Sequence, residues 1–286
     1  MTNRQFTYVI LTILIVFFIT IESLFYYMAR HNKYISNIID IRNGVAQCII
    51  MGDSHTQDAF RHELDNCLNI SIGGSSIPLI IDAVQSIIHK NKISHIILPL
   101  EPHNFTSYRL VNQNDTFKNI SDIFDPMYIP LFSIPILQEY FQKTIYSKFK
   151  IDNDKEKELW SNLNKNQQLQ RINTRLDKHI PVQNYENTQY AEEYLKFIKS
   201  LIKQNIKVCL VRTPVTIEYN NTMFENISKN EWDAFVNKFE NAGATYIDYE
   251  DLNFNNTNDK IFTDQDHLNE LGARYYSKQI YNNCFN

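Results

Sequence analysis

The chain has 286 residues, of which 43% are apolar and 21% are charged, and its formal net charge is −4. The apolar share predicts a folded protein and excludes an intrinsically disordered one. The net negative charge supplies no basic surface for phosphate contacts, so we expect no nucleic-acid partner.

A long apolar segment opens the chain. Residues 6–28 (FTYVILTILIVFFITIESLFYYM) carry a single charge, that of Glu22. As a helix rising about 1.5 Å per residue, the segment covers the roughly 30 Å hydrocarbon core of a bilayer. It ends in aromatic residues and Arg30 rather than in the small-residue cleavage site of a secretory signal. We therefore predict an uncleaved membrane anchor over residues 1–31, with a single transmembrane helix.

The charges beside this segment bear on its orientation. Arg4 precedes the segment, whereas Arg30, Lys33 and Arg42 follow it. Positively charged flanks favour the cytoplasmic side, so this count argues against an exported C-terminal domain. We nevertheless expect that domain in the periplasm or at the cell surface, on functional grounds given below.

The four cysteines are Cys48, Cys67, Cys209 and Cys284. They form no CxxC pair and have no histidine at metal-ligand spacing, so we predict no zinc site. Cys48 and Cys209 lie in apolar, strand-like runs, which favours free buried cysteines. The even number also permits disulfides in an oxidising compartment.

After a predicted polar linker over residues 32–45, the chain alternates between two kinds of apolar pattern. Five short apolar segments are predicted to be strands: 46–51, 68–72, 93–100, 206–211 and 245–249. Apolar residues at helical spacing predict helices over residues 80–88, 190–202, 232–239 and 268–281. This alternation predicts an α/β fold over residues 46–286: a three-layer α/β/α, flavodoxin-like domain with a parallel sheet.

Residues 105–187 interrupt this alternation. Aromatic residues and three prolines, Pro126, Pro130 and Pro135, precede a charged, helix-like run over residues 152–177. We interpret this stretch as an insertion or cap over the C-terminal edge of the sheet rather than as a separate domain.

The sequence Gly52-Asp53-Ser54 directly follows the first predicted strand. A serine in a tight turn between a strand and a helix lies where open α/β sheets bind ligands. The backbone N–H groups of a helix N-terminus are also suited to stabilise an oxyanion. On its own, however, Gly-Asp-Ser is an ordinary turn followed by a helix cap.

A second group of polar residues lies near the other end of the chain. Asp264 and His267 are three residues apart in a loop before the last predicted helix, so both side chains converge if the loop is a turn. A neutral imidazole accepts a serine proton, and a carboxylate on its other nitrogen fixes the tautomer. Asp266 is expected to point away and to cap the following helix. We expect His55 and His103 to be loop or pocket residues rather than bases.

Together these groups resemble the SGNH hydrolase superfamily, the GDSL-type esterases. The resemblance implies that Ser54 is the nucleophile, His267 its base and Asp264 the residue that orients the base. It also implies an oxyanion hole formed by Ser54, Gly74 and Asn104.

The two remaining motifs of the family match less fully. In the stretch Asn-Ile-Ser-Ile-Gly-Gly over residues 69–74, Gly74 is the best match for the oxyanion-hole glycine and Gly73 is the alternative. Asn104 follows the third predicted strand. The usual Gly-x-Asn-Asp is absent, because Pro102 stands at the position of the glycine and Phe105 at that of the aspartate. The resemblance covers most of residues 46–104 and 245–281 but not the insertion.

The membrane anchor and the Gly-Asp-Ser-His sequence resemble the branch of the family that handles acyl groups on cell-surface glycans. Alginate and peptidoglycan O-acetyltransferases and the D-alanyl transfer protein of teichoic acid export are similar in outline. The resemblance implies acyl transfer from an acylated carbohydrate or other ester through an acyl-serine, with no metal or organic cofactor. A lipid esterase held at the bilayer and a non-catalytic glycan-assembly protein are the alternatives. Because exported glycans are modified outside the cytoplasm, this reading places the domain there.

Overall fold

The computed structural model describes residues 2–31, 33–61, 64, 67–88, 92–106, 108–109, 160–181, 189–252, 254 and 258–285. Most of the predicted insertion over residues 105–187, including its three prolines, lies outside the described residues. Most of the described part of the charged run lies in a helix, Lys165–His179.

Helix α1 (Asn3–Arg30) contains the apolar N-terminal segment. Thr2 and Gln5 form a capping box at its start, which satisfies backbone N–H groups of the first turn. The helix is long and apolar enough to cross a membrane, and none of its most apolar stretch is buried by the rest of the protein. The structure thus agrees with the predicted single transmembrane helix in length and composition.

The predicted linker over residues 32–45 instead contains helix α2 (Lys33–Arg42). Ile35, Ile38 and Ile39 occur at helical spacing and are buried in the main hydrophobic core. Asn37 also donates a hydrogen bond of 3.0 Å to the main-chain oxygen of Asn69. This segment is therefore part of the folded domain, because its isoleucines bury one face of the helix.

Within the described residues, the sheet contains five parallel strands: β1 (Cys48–Ile50), β2 (Cys67–Asn69), β3 (His95–Pro99), β4 (Lys207–Arg212) and β5 (Thr245–Asp248). Their order is β2-β1-β3-β4-β5. This is the flavodoxin-like order, and it confirms the predicted fold class. The chain reverses its direction of winding between β1 and β3, where open sheets of this type bind ligands at the carboxyl ends of the strands.

Helices cover both faces of this sheet. The other α-helices in the described part of the chain are α3 (Ser54–Ala59), α4 (Ile77–Ile88), α5 (Lys165–His179), α6 (Gln189–Lys203), α7 (Ile217–Asn226), α8 (Lys229–Glu240) and α9 (Glu270–Phe285). One hydrophobic cluster lies under α2, α4, α6 and α8, and includes Ile80, Ile198 and Trp232. A second lies under α3, α5, α7 and α9, and includes Ile172 and Tyr276. The two clusters give the three predicted layers.

The cysteines form two disulfides, Cys48–Cys67 and Cys209–Cys284. The prediction that Cys48 and Cys209 are free is therefore wrong. Cys48 and Cys67 are register partners in neighbouring parallel strands, and their Cα atoms lie 4.4 Å apart. Local apolar character gives no information about register, so the sequence pattern left this pairing hidden.

Candidate active site

Ser54 is the first residue of α3, and a short turn connects it to the end of β1. Asp53 caps this helix, because its Oδ1 atom accepts a hydrogen bond of 3.0 Å from the backbone N–H of His55. Gly52 packs so closely on Thr56 that a Cβ atom at this position would collide with the threonine side chain. The turn thus holds Ser54 at the carboxyl edge of the sheet, as its motif predicts.

Ser54, His267 and Asp264 form a continuous chain of hydrogen bonds. Ser54 Oγ lies 2.9 Å from His267 Nε2, and His267 Nδ1 lies 2.8 Å from Asp264 Oδ1. The predicted contact between Ser54 and His267 is confirmed. This is the geometry in which an imidazole accepts the serine proton while a carboxylate orients it.

Main-chain hydrogen bonds shape the loop that carries His267. Thr263 N–H donates to the His267 carbonyl at 2.8 Å. Asp264 Oδ1 also accepts the backbone N–H groups of Asp266 and His267, at 3.2 and 2.9 Å. The turn therefore fixes Asp264 and His267 with respect to each other before any substrate binds.

Asp266 does not have its predicted role. Its carboxylate is buried, and its Oδ2 atom accepts hydrogen bonds from Arg175 Nε at 2.7 Å and from His55 Nε2 at 3.1 Å. Helix α9 is capped by Asn269 instead, whose side-chain oxygen accepts two backbone N–H groups of its first turn. A buried carboxylate needs cationic partners, and Arg175 reaches it from the insertion, which the local sequence did not reveal.

His55 lies in a buried row of alternating charges. Its Nδ1 atom lies 3.1 Å from Glu101 Oε2, while its Nε2 atom faces Asp266. Glu101 Oε1 is bound in turn by the N–H and hydroxyl groups of Thr213, at 3.2 and 2.8 Å. Both imidazole nitrogens thus face carboxylates, which is the environment of an imidazolium.

The pKa values of His55 and His267 follow from this arrangement. Burial by itself lowers the pKa of His55, but Glu101 and Asp266 outweigh it and raise that pKa to about 10. Burial also opposes the charge on His267, yet Asp266 and the hydrogen bond to Asp264 raise its pKa to about 9. The pKa of the Asp266 carboxyl lies well below its usual range, because the attraction of His267 and His55 outweighs the effect of burial. His267 is therefore a stronger base than a free imidazole, and it needs alkaline conditions to be neutral.

Asp53 lies at the centre of a neighbouring buried group. Its Oδ2 atom accepts hydrogen bonds from His103 Nε2 at 2.7 Å and from Arg109 at 2.8 Å. Burial opposes its charge, but Arg109 and His103 hold the pKa of Asp53 well below its usual range. Asp53 is thus a structural anion that caps α3 and binds the segment after β3.

The predicted oxyanion-hole residues differ in their positions. The Cβ position of Gly73 lies 3.7 Å from Ser54 Cβ, whereas nothing lies within 4 Å of that of Gly74. Among the described residues, no backbone carbonyl accepts a hydrogen bond from the N–H of Gly73 or Gly74. Gly73, the alternative in the sequence, is therefore the glycine beside the nucleophile. The role assigned to Gly74 stays a prediction.

The Asn104 side chain is buried and already hydrogen-bonded within the protein. Its Oδ1 atom accepts the backbone N–H of Glu101 at 3.0 Å, and its Nδ2 atom lies 3.4 Å from Asp53 Oδ2. The amide group therefore already has partners that stabilise the turn after β3. Its predicted role at the oxyanion is untested.

Two groups of side chains among the described residues have the spacing of metal ligands. His55, His103 and His179 form one, and His55, Asp266 and His267 form the other, with donor atoms within 4.8 Å of one another in each. The hydrogen bonds of His55 to two carboxylates and of His179 Nδ1 to the Tyr219 hydroxyl, at 2.8 Å, account for these side chains without an ion. We assign no metal to either group.

No protein-family model matches the sequence, and neither does any curated protein sequence. Several solved structures are similar to it in fold, and three of them have 10% sequence identity each. A proposed acylhydrolase from Bacteroides fragilis has a TM-score of 0.42, covering 82% of this chain and 84% of its own. A GDSL-like lipase from Bacteroides thetaiotaomicron has a TM-score of 0.43, covering 86% and 95%. A proposed platelet activating factor from Streptococcus pneumonia has a TM-score of 0.43, covering 93% and 98%.

At this level of identity the likeness concerns the course of the strands and helices.

Proposed function

We propose that this protein is a serine-dependent acyl-ester hydrolase or O-acyltransferase that acts on O-acetyl groups of a cell-surface or exported polysaccharide. The observation that carries the proposal is the chain of hydrogen bonds from Ser54 through His267 to Asp264. It lies at the carboxyl edge of a parallel sheet, where folds of this type bind their ligands.

The first half of the reaction forms an acyl-enzyme. His267 Nε2 takes the proton of Ser54 Oγ as this oxygen attacks the ester carbonyl carbon. The N–H groups of Ser54 and of Gly73 or Gly74 stabilise the resulting oxyanion. When the intermediate collapses, the bond to the alcohol oxygen breaks, and the alcohol leaves with the proton from His267.

The second half returns Ser54 to its starting state. Water or a sugar hydroxyl attacks the acyl-serine, and His267 takes the proton of this acceptor. The new tetrahedral intermediate breaks the bond to Ser54 Oγ, which regains its proton from His267. Water as the acceptor gives hydrolysis, and a sugar hydroxyl gives transfer. Asp264 stabilises the imidazolium in both halves and keeps its Nε2 atom directed at the serine.

The proposal places the folded domain outside the cytoplasm, tethered by α1. Structural disulfides persist in oxidising compartments and are rare in the cytosol, so Cys48–Cys67 and Cys209–Cys284 support this placement. Against it stands the excess of basic residues after α1. We give the disulfides more weight, because they involve strands and a helix of the folded domain itself.

The proposal is tested by the release of acid from three ester classes by the full chain in detergent. These are acetylated xylo-oligosaccharides, a neutral aryl acetate and lysophosphatidylcholine. We expect Ser54-dependent release of acetate from the first two, which the Ser54→Ala variant lacks. If the protein releases fatty acid from lysophosphatidylcholine but no acetate from the other two esters, it is instead a lipid esterase. Equal rates of ester cleavage by the wild type and Ser54→Ala would exclude Ser54 as the nucleophile.

A further inference from the structure

A pocket of about 380 Å³ opens beside the loop that carries the proposed base. Asp264 and Gln265 of this loop form one of its walls, and helix α5 forms another. On the helix, Arg171, Arg175 and Lys178 face the pocket, because residues three and four positions apart share one side of a helix. The opposite side of α5 is buried in the core.

The pocket is positively charged within an acidic protein. Three cations and one carboxylate, that of Asp264, line it, whereas the whole chain has a formal net charge of −4. Arg175 is neutralised by the buried Asp266 at 2.7 Å. Among the residues that the structure describes, Arg171 and Lys178 have no carboxylate partner. Lys178 Nζ does lie 5.6 Å from the centre of the Tyr108 ring, but that contact leaves its N–H donors open to an anion. Within the described part of the chain, both cations can therefore bind an anion from solution.

The residues that line the pocket are polar or charged, although the aliphatic parts of their side chains supply much of its exposed surface. All seven of its side chains are polar or charged, and Gln170 and Thr174 complete the surface of α5. Burying an acyl chain here would desolvate charged groups without giving them partners. A hydrated sugar that carries a carboxylate or phosphate matches both the hydrogen-bonding groups and the charge.

Arg175 connects the pocket to the reacting groups. One of its guanidinium nitrogens lies 3.4 Å from His267 Nδ1, and the other ring nitrogen, Nε2, lies 2.9 Å from Ser54 Oγ. A ligand in the pocket thus lies next to the triad rather than at a distant surface. We propose that this pocket binds an anionic group, a carboxylate or a phosphate, of an acidic glycan whose ester Ser54 cleaves; this inference rests on the proposed function.

The test uses the full chain in detergent and two substrates that differ in charge, mono-acetylated glucuronic acid and mono-acetylated glucose. The double variant Arg171→Gln/Lys178→Gln removes both unpaired cations but no part of the triad. We expect its kcat/KM to fall about tenfold on the glucuronic acid ester, through KM, since a charge-assisted contact is lost. The glucose ester should be cleaved at the wild-type rate. Lys203→Gln, on an exposed position of α6, is the matched control and should change neither.

Equal losses on both sugars, or no loss on either, would overturn the proposal. A binding measurement separates this failure from failure of the proposed function. By calorimetry, the Ser54→Ala variant should bind glucuronate and inorganic phosphate but not glucose, and addition of the double substitution should abolish that binding. Anion binding without ester cleavage would uphold the pocket and reject the esterase, whereas the absence of binding would reject the pocket. Faster cleavage of lysophosphatidylglycerol than of the glucuronic acid ester, with the same dependence on Arg171 and Lys178, would reject the glycan.

Discussion

His55 Nε2 lies 3.1 Å from Asp266 Oδ2, across a sequence separation of 211 residues. These are the chain neighbours of Ser54 and His267, whose reacting atoms lie 2.9 Å apart. Two adjacent contacts therefore join the end of β1 to the C-terminal loop. The part-buried contact between Ser54 and His267 is suited to chemistry, and the buried contact between His55 and Asp266 fixes the distance between the two segments.

The two carboxylates beside His267 should differ in their effects. Asp264 Oδ1 lies 2.8 Å from His267 Nδ1, whereas Asp266 Oδ1 lies 3.4 Å from it. The shorter hydrogen bond, to Asp264, keeps the proton of the neutral His267 imidazole on Nδ1. Asp264→Asn should therefore lower kcat by about 10³-fold or more. Asp266 has the larger electrostatic effect on His267, so Asp266→Asn should chiefly lower the apparent pKa in the rate profile. Steady-state kinetics of both variants test this. A greater loss of kcat in Asp266→Asn would mean that Asp266 is the orienting carboxylate.

The rate of ester cleavage should rise with pH. His267 acts as a base only when it is neutral, and its pKa is raised to about 9. The protonated form is therefore the majority at about pH 7, and kcat/KM should increase through about pH 9 before it levels off. Rates measured with Ser54→Ala at each pH correct for spontaneous hydrolysis. A profile that is already flat at about pH 7 would show that the pKa of His267 is not raised in solution.

The fold and the contacts of His267 with Ser54 and Asp264 could be predicted from the sequence because both depend on local patterns. A buried strand that ends in Gly52-Asp53-Ser54 and a turn that contains Asp264 and His267 are visible in single segments. Parallel strands then bring such segments to one edge of the sheet.

The remaining parts depend on contacts between distant segments. The cationic partner of Asp266 comes from α5, and the partner of Cys48 is set by the register of β2. Neither relationship leaves a periodic pattern in the sequence. The helix over residues 33–42 was missed for a different reason, since its isoleucines are outnumbered by polar residues.

Loss of His55 should destabilise the domain. Replacement by Ala leaves the buried carboxylates of Glu101 and Asp266 without their shared cation, at a cost of about 3 kcal/mol or more in the free energy of unfolding. Urea unfolding of the full chain in detergent measures this, and His95→Ala, at a partly exposed position, is the control. An unchanged midpoint for His55→Ala would contradict the ion-pair account.

The pH dependence of stability follows from the same ion pairs. The pKa of His55 is raised from 6.5 to about 10, so its contribution is complete below about pH 6.5 and is lost as the pH rises through about 10. The urea midpoint of the wild type should therefore decrease as the pH is raised beyond about 9, and the midpoint of His55→Ala should decrease less. A parallel fall in both proteins would assign the loss to other groups.

The side of the membrane is open to a direct test. With the domain exported, a phosphatase that folds only outside the cytoplasm should be active when fused to the C-terminus, and a cytoplasmic fluorescent protein at the same position should be dark. The disulfides require this orientation to form readily. The opposite reporter pattern would place Ser54 in the cytoplasm and direct the search toward lipids or cytosolic esters.

The central claim is that Ser54 is a nucleophile activated by His267. The most direct measurement is covalent labelling of the full chain with a fluorophosphonate, followed by peptide mass spectrometry. We expect one phosphonylated serine, Ser54, and labelling that is greatly slowed in His267→Ala, because the 2.9 Å contact supplies the base. Labelling of another serine, or unchanged labelling of Ser54 in His267→Ala, would contradict it.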